Sequence, residues 1–154
     1  MGPRANDRSE SPSAALQILQ TELVELVELA LQIQQMKWTL VPEVPALSTR
    51  LLTDVVADAW YRADAVAEEL RARGTAPDAR IRTIAASPAL YPTQGGWLEP
   101  STVARAANAI GRSATWARER SAQLEGEPEL ERIFVAISSS LDEWVSAVRA
   151  VSTR

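Results

Sequence analysis

Residues 16–38 read LQILQTELVELVELALQIQQMKW, a run in which apolar side chains recur at alternating steps of three and four. That spacing places them on one side of an α-helix, as in a helix that packs inside a bundle. The positions on this apolar seam are Leu16, Leu19, Leu23, Leu26, Ala30 and Ile33. The next position is Lys37, the only lysine of the chain, so the sequence predicts an inward-facing charge that needs a partner.

Proline and glycine mark the ends of further helices. The first helix is expected to start at Ser11-Pro12, an N-cap followed by a first-turn proline, and to end near Trp38. Gly74 is expected to stop the second helix, and a connection over residues 75–99 is too long for a simple turn. The other predicted helices span residues 47–73, 101–124 and 128–151, with a short one over residues 80–86. Four long helices with one long connection indicate an all-α fold, a ferritin-like four-helix bundle with a short extra helix in that connection.

Length and composition limit the kinds of function that this chain can have. The 154 residues fit one domain, with the bundle over residues 14–151 and a mobile polar tail over residues 1–13. There is no cysteine and no histidine, which excludes thiol chemistry, histidine-assisted nucleophiles and the usual zinc sites. A net charge of −4 argues against a dedicated nucleic-acid binder. The polar N-terminus and the lack of a long apolar run lead us to expect a cytoplasmic protein without membrane contact.

Four short segments carry a likeness to a known family: LVEL (residues 23–26), QQMKW (34–38), ADAVAEEL (63–70) and GTAPD (74–78). They resemble the Dps family, the mini-ferritins of bacteria, and the likeness extends over residues 16–151. In that family the first helix ends in a Lys-Gln-Ala-His-Trp-like run whose histidine is a ligand of a di-iron ferroxidase site. The resemblance implies a homo-oligomer, a dodecameric cage built from two-fold dimers, that acts in the stress response.

The resemblance also places the five metal ligands of the family on this sequence. Two ligand histidines fall on Lys37 and Thr49, and a ligand aspartate falls on Thr53. An aspartate and a glutamate four residues apart fall on Asp64 and Glu68, which are kept. The resemblance therefore implies a degenerate site across a two-fold interface, with Asp64 and Glu68 as weak, vestigial metal ligands. No cofactor is expected, and iron only if these carboxylates still bind it.

Three interpretations of Lys37 stay open. Its ammonium pairs with Asp64 and Glu68 of the partner subunit and replaces a metal ion, or it snorkels into solvent. In the third, burial lowers its pKa, and Lys37, Asp64 and Glu68 are the catalytic groups of an enzyme. For the carboxylates, the alternative is an i,i+4 pair on a solvated helix face. Asp54 and Asp58 form a similar pair, for which solvation is the preferred interpretation.

Tryptophan is unusually frequent, with five residues against a single phenylalanine. Trp38 follows the lost ligand position, and Trp60 lies four residues before Asp64, on the same side of the helix. Together with Thr49 and Thr53, these indoles are predicted to line an interface pocket for a planar small molecule. The alternative is that the tryptophans fill volume in the core or the interface.

Four acidic residues surround the connection between the last two helices: Glu125, Glu127, Glu129 and Glu131. In the family this connection forms a three-fold pore for cation entry, where a ring of carboxylates raises the local cation concentration. The alternative is that acidic side chains stabilise the N-terminus of the last helix. DNA association in the family uses lysine-rich extensions, which this chain lacks, so direct DNA binding is not expected.

The leading interpretation is a Dps-like, cage-forming protein with a degenerate ferroxidase site, in stress protection or residual iron handling, with weak or no iron oxidation. The competing one is a small-molecule binder or biosynthetic enzyme that reuses the interface pocket around Lys37, Asp64 and Glu68. A third is a non-catalytic subunit that assembles with an active paralogue.

Overall fold

The computed structural model describes residues 13–87 and 101–152, and within these residues the chain forms five α-helices and no strand. In chain order the helices are α1 (Ala14–Trp38), α2 (Ala46–Ala72), α3 (Ile81–Ala85), α4 (Thr102–Ser121) and α5 (Pro128–Ser152). α1 packs along α2 and α4 along α5, and the two pairs meet through α2 with α5 and α1 with α4. The short α3 lies against α1. The predicted all-α, ferritin-like bundle with a short helix after α2 is confirmed.

The helix ends follow from local sequence. Ser13 is the N-cap of α1, and its Oγ accepts a hydrogen bond from the amide of Leu16 at 3.3 Å. The predicted start at Ser11-Pro12 was two residues early, because Ser13 provides the cap. Gly74 follows α2 with a φ of +77°, a left-handed conformation that glycine adopts without strain, and so ends the helix as predicted.

The core is formed by the apolar seams of the four long helices. Its largest fully buried side chains include Leu19, Leu26, Ile33, Leu52, Leu70, Ile110, Phe134 and Leu141. At the end of α1 the seam continues into Met36, which is 1% exposed, whereas Lys37 is only partly buried. In a single chain, Met36 therefore takes the buried position in the last turn of α1 and Lys37 lies beside it, partly exposed, while the pairing of Lys37 with a partner subunit stays a prediction.

Some predictions fall on residues outside the described ranges. These are the tail over residues 1–12, the later part of the long connection with Trp97, and the last two residues of the chain. In the described part, no helix is both long and apolar enough to cross a membrane.

Candidate functional site

Two glutamates lie inside the bundle and share one arginine. Glu22 and Glu25 of α1 are 1% and 5% exposed. Arg120, near the end of α4, donates from Nη1 to Glu22 Oε2 at 2.6 Å and from Nη2 to Glu25 Oε1 at 2.6 Å. Nη1 also donates to Glu25 Oε2, so the guanidinium binds Glu25 with both terminal nitrogens. Such pairing is required, because a buried carboxylate without a partner is strongly destabilising.

The buried cluster contains more carboxylates than cations, and this affects their protonation. Burial raises the pKa of Glu22 to about 7, although the attraction of Arg120 opposes the rise. Glu28 lies about one turn beyond Glu25 on α1, and burial together with the charge of Glu25 raises its pKa to about 7 as well. Glu28 Oε2 is buried and forms no hydrogen bond. One buried and one partly buried carboxyl group of α1 therefore have pKa values near neutral pH.

This buried cluster was not predicted from the sequence, although one signal for it is present there. In residues 22–30, ELVELVELA, each glutamate is separated from the next by two apolar residues, so apolar side chains cover every side of the helix. A helix that is apolar all round is buried, and a glutamate within it needs a cation from another element. No sequence pattern identifies Arg120 as that cation, because it is 95 residues from Glu25.

A second polar network joins α2 to α5. Asp58 Oδ2 accepts hydrogen bonds from Ser140 Oγ at 2.6 Å and from Trp144 Nε1 at 3.2 Å. Its Oδ1 accepts from Arg62 Nε at 3.3 Å. The prediction of a solvated pair was therefore wrong for Asp58, which links two helices, while Asp54 is exposed.

The three residues predicted to form the interface site lie far apart within one chain. Lys37 is partly exposed in the last turn of α1, and Asp64 and Glu68 are exposed on α2. Asp64 lies 18 residues (46 to 64) beyond the start of α2, which is about 27 Å along the helix from the end that adjoins Lys37. Within the described residues, none of the three side chains forms an ion pair in its own chain.

The residues predicted to line the interface pocket lie at the surface as well. Trp38 is 71% exposed and Trp60 is 42% exposed. Thr49 and Thr53 are exposed near the start of α2, where Thr53 Oγ1 donates to the Thr49 carbonyl at 2.9 Å. Trp60 and Asp64 are both on the exposed side of α2. In a single chain these side chains face outward, so any pocket between them needs a covering surface.

The glutamates predicted to line a pore lie in the α4–α5 connection and the first turn of α5. Glu125 and Glu129 are exposed, and Glu129 and Glu131 lie in the first turn of α5, where acidic side chains are stabilised by the helix dipole. Glu127 accepts a hydrogen bond from Arg73 Nη2 at 3.1 Å, and so joins this connection to the end of α2.

The donor chemistry of the chain does not fit a di-iron centre within one subunit. The described residues contain no group of three or more Asp, Glu, His or Cys that could hold a metal ion. Inside the bundle, the guanidinium of Arg120 already occupies the space between Glu22 and Glu25. At the surface, the resemblance implies five ligand positions, and only two of them, Asp64 and Glu68, carry side chains that bind metal ions well.

Solved structures with the same helix arrangement come from several bacteria. The crystal structure of Dps92 from Deinococcus radiodurans is 25% identical, with a TM-score of 0.81 over 88% of this chain and 84% of that chain. Dps from Microbacterium arborescens in the high iron form is 21% identical, with a TM-score of 0.78 over 94% and 98% of the two chains. Antigen TpF1 from Treponema pallidum is 17% identical, with a TM-score of 0.80 over the full length of both chains. No protein-family model and no curated protein sequence matches the chain. The chain therefore has the ferritin-like four-helix-bundle fold of the Dps structures.

Proposed function

We propose that this chain is a subunit of a Dps-like homo-oligomeric cage, of twelve chains built from two-fold dimers, in which a fixed cation replaces the di-iron ferroxidase site. Such a cage serves stress protection or residual iron handling in the cytoplasm, with weak or no oxidation of iron. Iron would be the substrate or cargo of this cage and not a resident cofactor.

The observation that carries the proposal is the distribution of exposed apolar side chains. Among the described residues, five of the seven large apolar side chains that are exposed lie on α1 and α2: Leu31, Trp38, Leu47, Trp60 and Tyr61. Apolar side chains concentrated on one part of a surface mark an interaction site more often than a solvated face. The face of α1 and α2 is therefore the proposed two-fold interface.

The charges on the same two helices support this interface. Among the described residues of the same chain, Lys37, Asp64 and Glu68 have no ion partner. A two-fold axis could set the end of α1 in one chain against the second half of α2 in the other, where Asp64 and Glu68 lie. This arrangement would bring together charges that are far apart within one chain. The ammonium of Lys37 would then lie between two carboxylates and remove their mutual repulsion.

A measurement of particle mass tests the assembly. Light scattering of the purified chain is expected to give about twelve times the chain mass. Trp60→Glu is expected to reduce the particle to smaller species, because a carboxylate in an apolar interface is strongly unfavourable. The matched control is Glu119→Gln, at an exposed position of α4, which should leave the particle mass unchanged. A wild-type protein that is a single chain at all concentrations would overturn the cage.

Restoring the lost ligands tests the proposed loss of ferroxidase activity. Ferrous iron and peroxide are expected to give little ferric product with the wild-type chain. The triple variant Lys37→His, Thr49→His, Thr53→Asp should oxidise iron at least about tenfold faster, because imidazole and carboxylate replace groups that bind iron poorly. Adding Asp64→Asn to this variant is expected to abolish the gain. Rapid stoichiometric oxidation by the wild type would show that the ligand loss was misinterpreted.

A further inference from the structure

A cavity of about 570 Å³ lies between α4 and α5. On each helix its lining residues fall on one face, because positions three and four apart are neighbours on a helix surface. The volume is within the range of small-molecule sites, which is about 300 to 1,000 Å³. The described lining residues are Asn108, Gly111, Arg112, Thr115 and Trp116 of α4, and Asp142, Val145 and Arg149 of α5.

One wall of the cavity is a glycine in the interior of a helix. Gly111 lies in the middle of α4, where glycine is less favourable than alanine. A Cβ atom added at Gly111 would meet Val145 Cγ2 at 3.6 Å, an ordinary van der Waals distance, so the packing of α4 on α5 leaves room for a side chain there. The missing side chain therefore keeps space in the cavity that helix packing alone does not require.

Arg112 brings a cation without a counterion to the same wall. Among the described residues, its guanidinium forms no hydrogen bond and no ion pair. Nε is buried without a hydrogen-bond partner, whereas Nη1 and Nη2, which also lack a partner, are not buried. A molecule in the cavity therefore meets the edge of the guanidinium that is formed by its two terminal nitrogens. Two parallel N–H groups on one edge match the two oxygens of a carboxylate.

The other polar lining residues favour a ligand with a single negative charge. Arg149 adds a second cation, and Asn108 adds an exposed amide group that can donate. Asp142 is the one carboxylate among the described lining residues, and it is paired with Arg118, which lies outside the cavity. Two cations and one carboxylate give the lining a formal charge of +1. One negative charge balances it, whereas a second negative charge would be repelled by Asp142.

Trp116 and Val145 supply the apolar part of the lining. Trp116 is partly buried and lies four residues after Arg112, so the indole is beside the guanidinium on the same face of α4. The face of an indole packs well against a planar ring. The cavity therefore combines a site for one carboxylate with a surface for a planar apolar group.

We propose that the cavity between α4 and α5 binds a small organic monoanion, a carboxylate on a planar apolar body. Its two carboxylate oxygens accept hydrogen bonds from Nη1 and Nη2 of Arg112, and its body packs against Trp116. This site is separate from the proposed two-fold interface, because none of its described lining residues belongs to α1 or α2. It depends on the fold of one chain and not on the loss of ferroxidase activity.

Three related probes test the charge and the apolar body separately, by titration calorimetry on the full chain in its native assembly. 2-Naphthoate has both the carboxylate and the rings, 2-naphthamide has nearly the same shape without the charge, and acetate has the carboxylate without the rings. We expect 2-naphthoate to bind more tightly than both others. Its advantage over 2-naphthamide should be at least about tenfold, the value of hydrogen bonds between two charged groups.

Substitutions of two arginines assign the binding to the cavity. Arg112→Met is expected to weaken 2-naphthoate by about ten- to hundredfold and to leave 2-naphthamide unchanged. Arg112→Lys keeps the charge but loses the pair of parallel N–H groups, so its affinity should lie between those of wild type and Arg112→Met. The control is Arg132→Met, which removes the same charge from an exposed position of α5 outside the cavity and should leave the affinity unchanged.

A gain of affinity is expected from Asp142→Asn. This substitution removes the one carboxylate from the described lining, so 2-naphthoate should bind about two- to fivefold more tightly. Damage to the fold would lower the affinity, so it cannot produce this result.

Several results would overturn the site. One is the absence of 2-naphthoate binding by the wild type, and another is an equal loss of affinity in Arg112→Met and Arg132→Met. If Arg112→Met weakened 2-naphthamide as much as 2-naphthoate, the arginine would support the fold and not hold the anion. Tighter binding of 2-naphthyl phosphate, a dianion at about pH 8, than of 2-naphthoate would contradict the monoanion.

Discussion

The charged cluster inside the bundle and the charged surface of α1 and α2 differ in whether their side chains are paired with counterions in the same chain. Inside, Glu22 and Glu25 have their counterion, Arg120, in the same chain. On the surface, Lys37 and Asp64 have no ion partner in the described part of their own chain. A charge that is buried when the chain folds needs a counterion within that chain. An exposed charge is solvated by water, so a second chain can supply its counterion later.

Removal of Arg120 is expected to have the largest effect, and it tests the interior half of this comparison. Arg120→Met leaves Glu22 and Glu25 buried without a cation, which is expected to cost about 3–5 kcal/mol in the free energy of unfolding at pH 8. Denaturant titration followed by circular dichroism measures this loss. The matched control is Arg118→Met, two residues away, whose partner Asp142 is exposed, and whose loss should stay below about 1 kcal/mol.

A second variant separates charge from volume at the same position. If Arg120 acts as a counterion, adding Glu22→Leu and Glu25→Met to Arg120→Met should recover most of the lost stability, because apolar side chains of similar size replace the ion cluster. An equal loss in Arg118→Met and Arg120→Met would contradict a special role for the buried pair.

The interior cluster also predicts an unusual dependence of stability on pH. The pKa of Glu22 and of Glu28 is about 7 in the folded chain and about 4.5 in the unfolded chain. The folded state therefore holds more protons between these values, and the free energy of unfolding should fall as pH rises from about 4.5 to about 7 and then level off.

Glu28→Gln tests the part of this pH dependence that comes from Glu28. The amide keeps the shape but cannot ionise, so the variant should gain stability relative to wild type at pH 8 and show a shallower slope between pH 5 and 8. Thermal unfolding at a series of pH values measures the slope, with Glu119→Gln as the exposed control. Stability that rises with pH across this range would contradict the raised pKa values.

The sequence predicted the bundle well because its helix signals are local. Proline, glycine and apolar spacing lie within each helix, so the starts of α2 and α5 and the end at Gly74 were placed within about one residue. The start of α1 was placed two residues early because serine is a favoured N-cap at residue 11 as well as at residue 13, and the sequence alone does not distinguish the two positions.

Sequence reasoning was weakest where a partner lies far along the chain. The pairing of Glu25 with Arg120 and of Asp58 with Ser140 each spans more than 80 residues, which no motif encodes. The resemblance drew attention to Lys37, although the seam on which its inward orientation rested ends at Met36.

A smaller effect is expected at Asp58, which lies between the two extremes of burial. Asp58→Asn removes the charge and replaces one of the two carboxylate oxygens with an NH2 group, which donates. The hydrogen bonds from Ser140 and Trp144 are weakened as a result, which should lower the free energy of unfolding by about 1–2 kcal/mol. Chemical denaturation measures the loss. Asp54→Asn is the control, because Asp54 is exposed and its substitution should change stability by less than about 0.5 kcal/mol. Equal effects in the two variants would restore the interpretation of a solvated pair.

The smallest effect on the fold, and the most informative for assembly, is expected at Lys37. In a Trp60→Glu background, which is expected to keep the chain dissociated, Lys37→Met should change the free energy of unfolding by less than about 0.5 kcal/mol, because Lys37 makes no ion pair with the described part of its own chain. In the otherwise native chain, the same substitution should weaken assembly in a sedimentation dilution series if the proposed interface forms, since there Asp64 and Glu68 of the partner subunit would lose their cation. Lys37→Arg keeps the charge and should keep most of the assembly. If Lys37→Met instead destabilised the dissociated chain and left assembly unchanged, the surface charge would serve the single chain, as Arg120 does, and the two regions would not differ in kind.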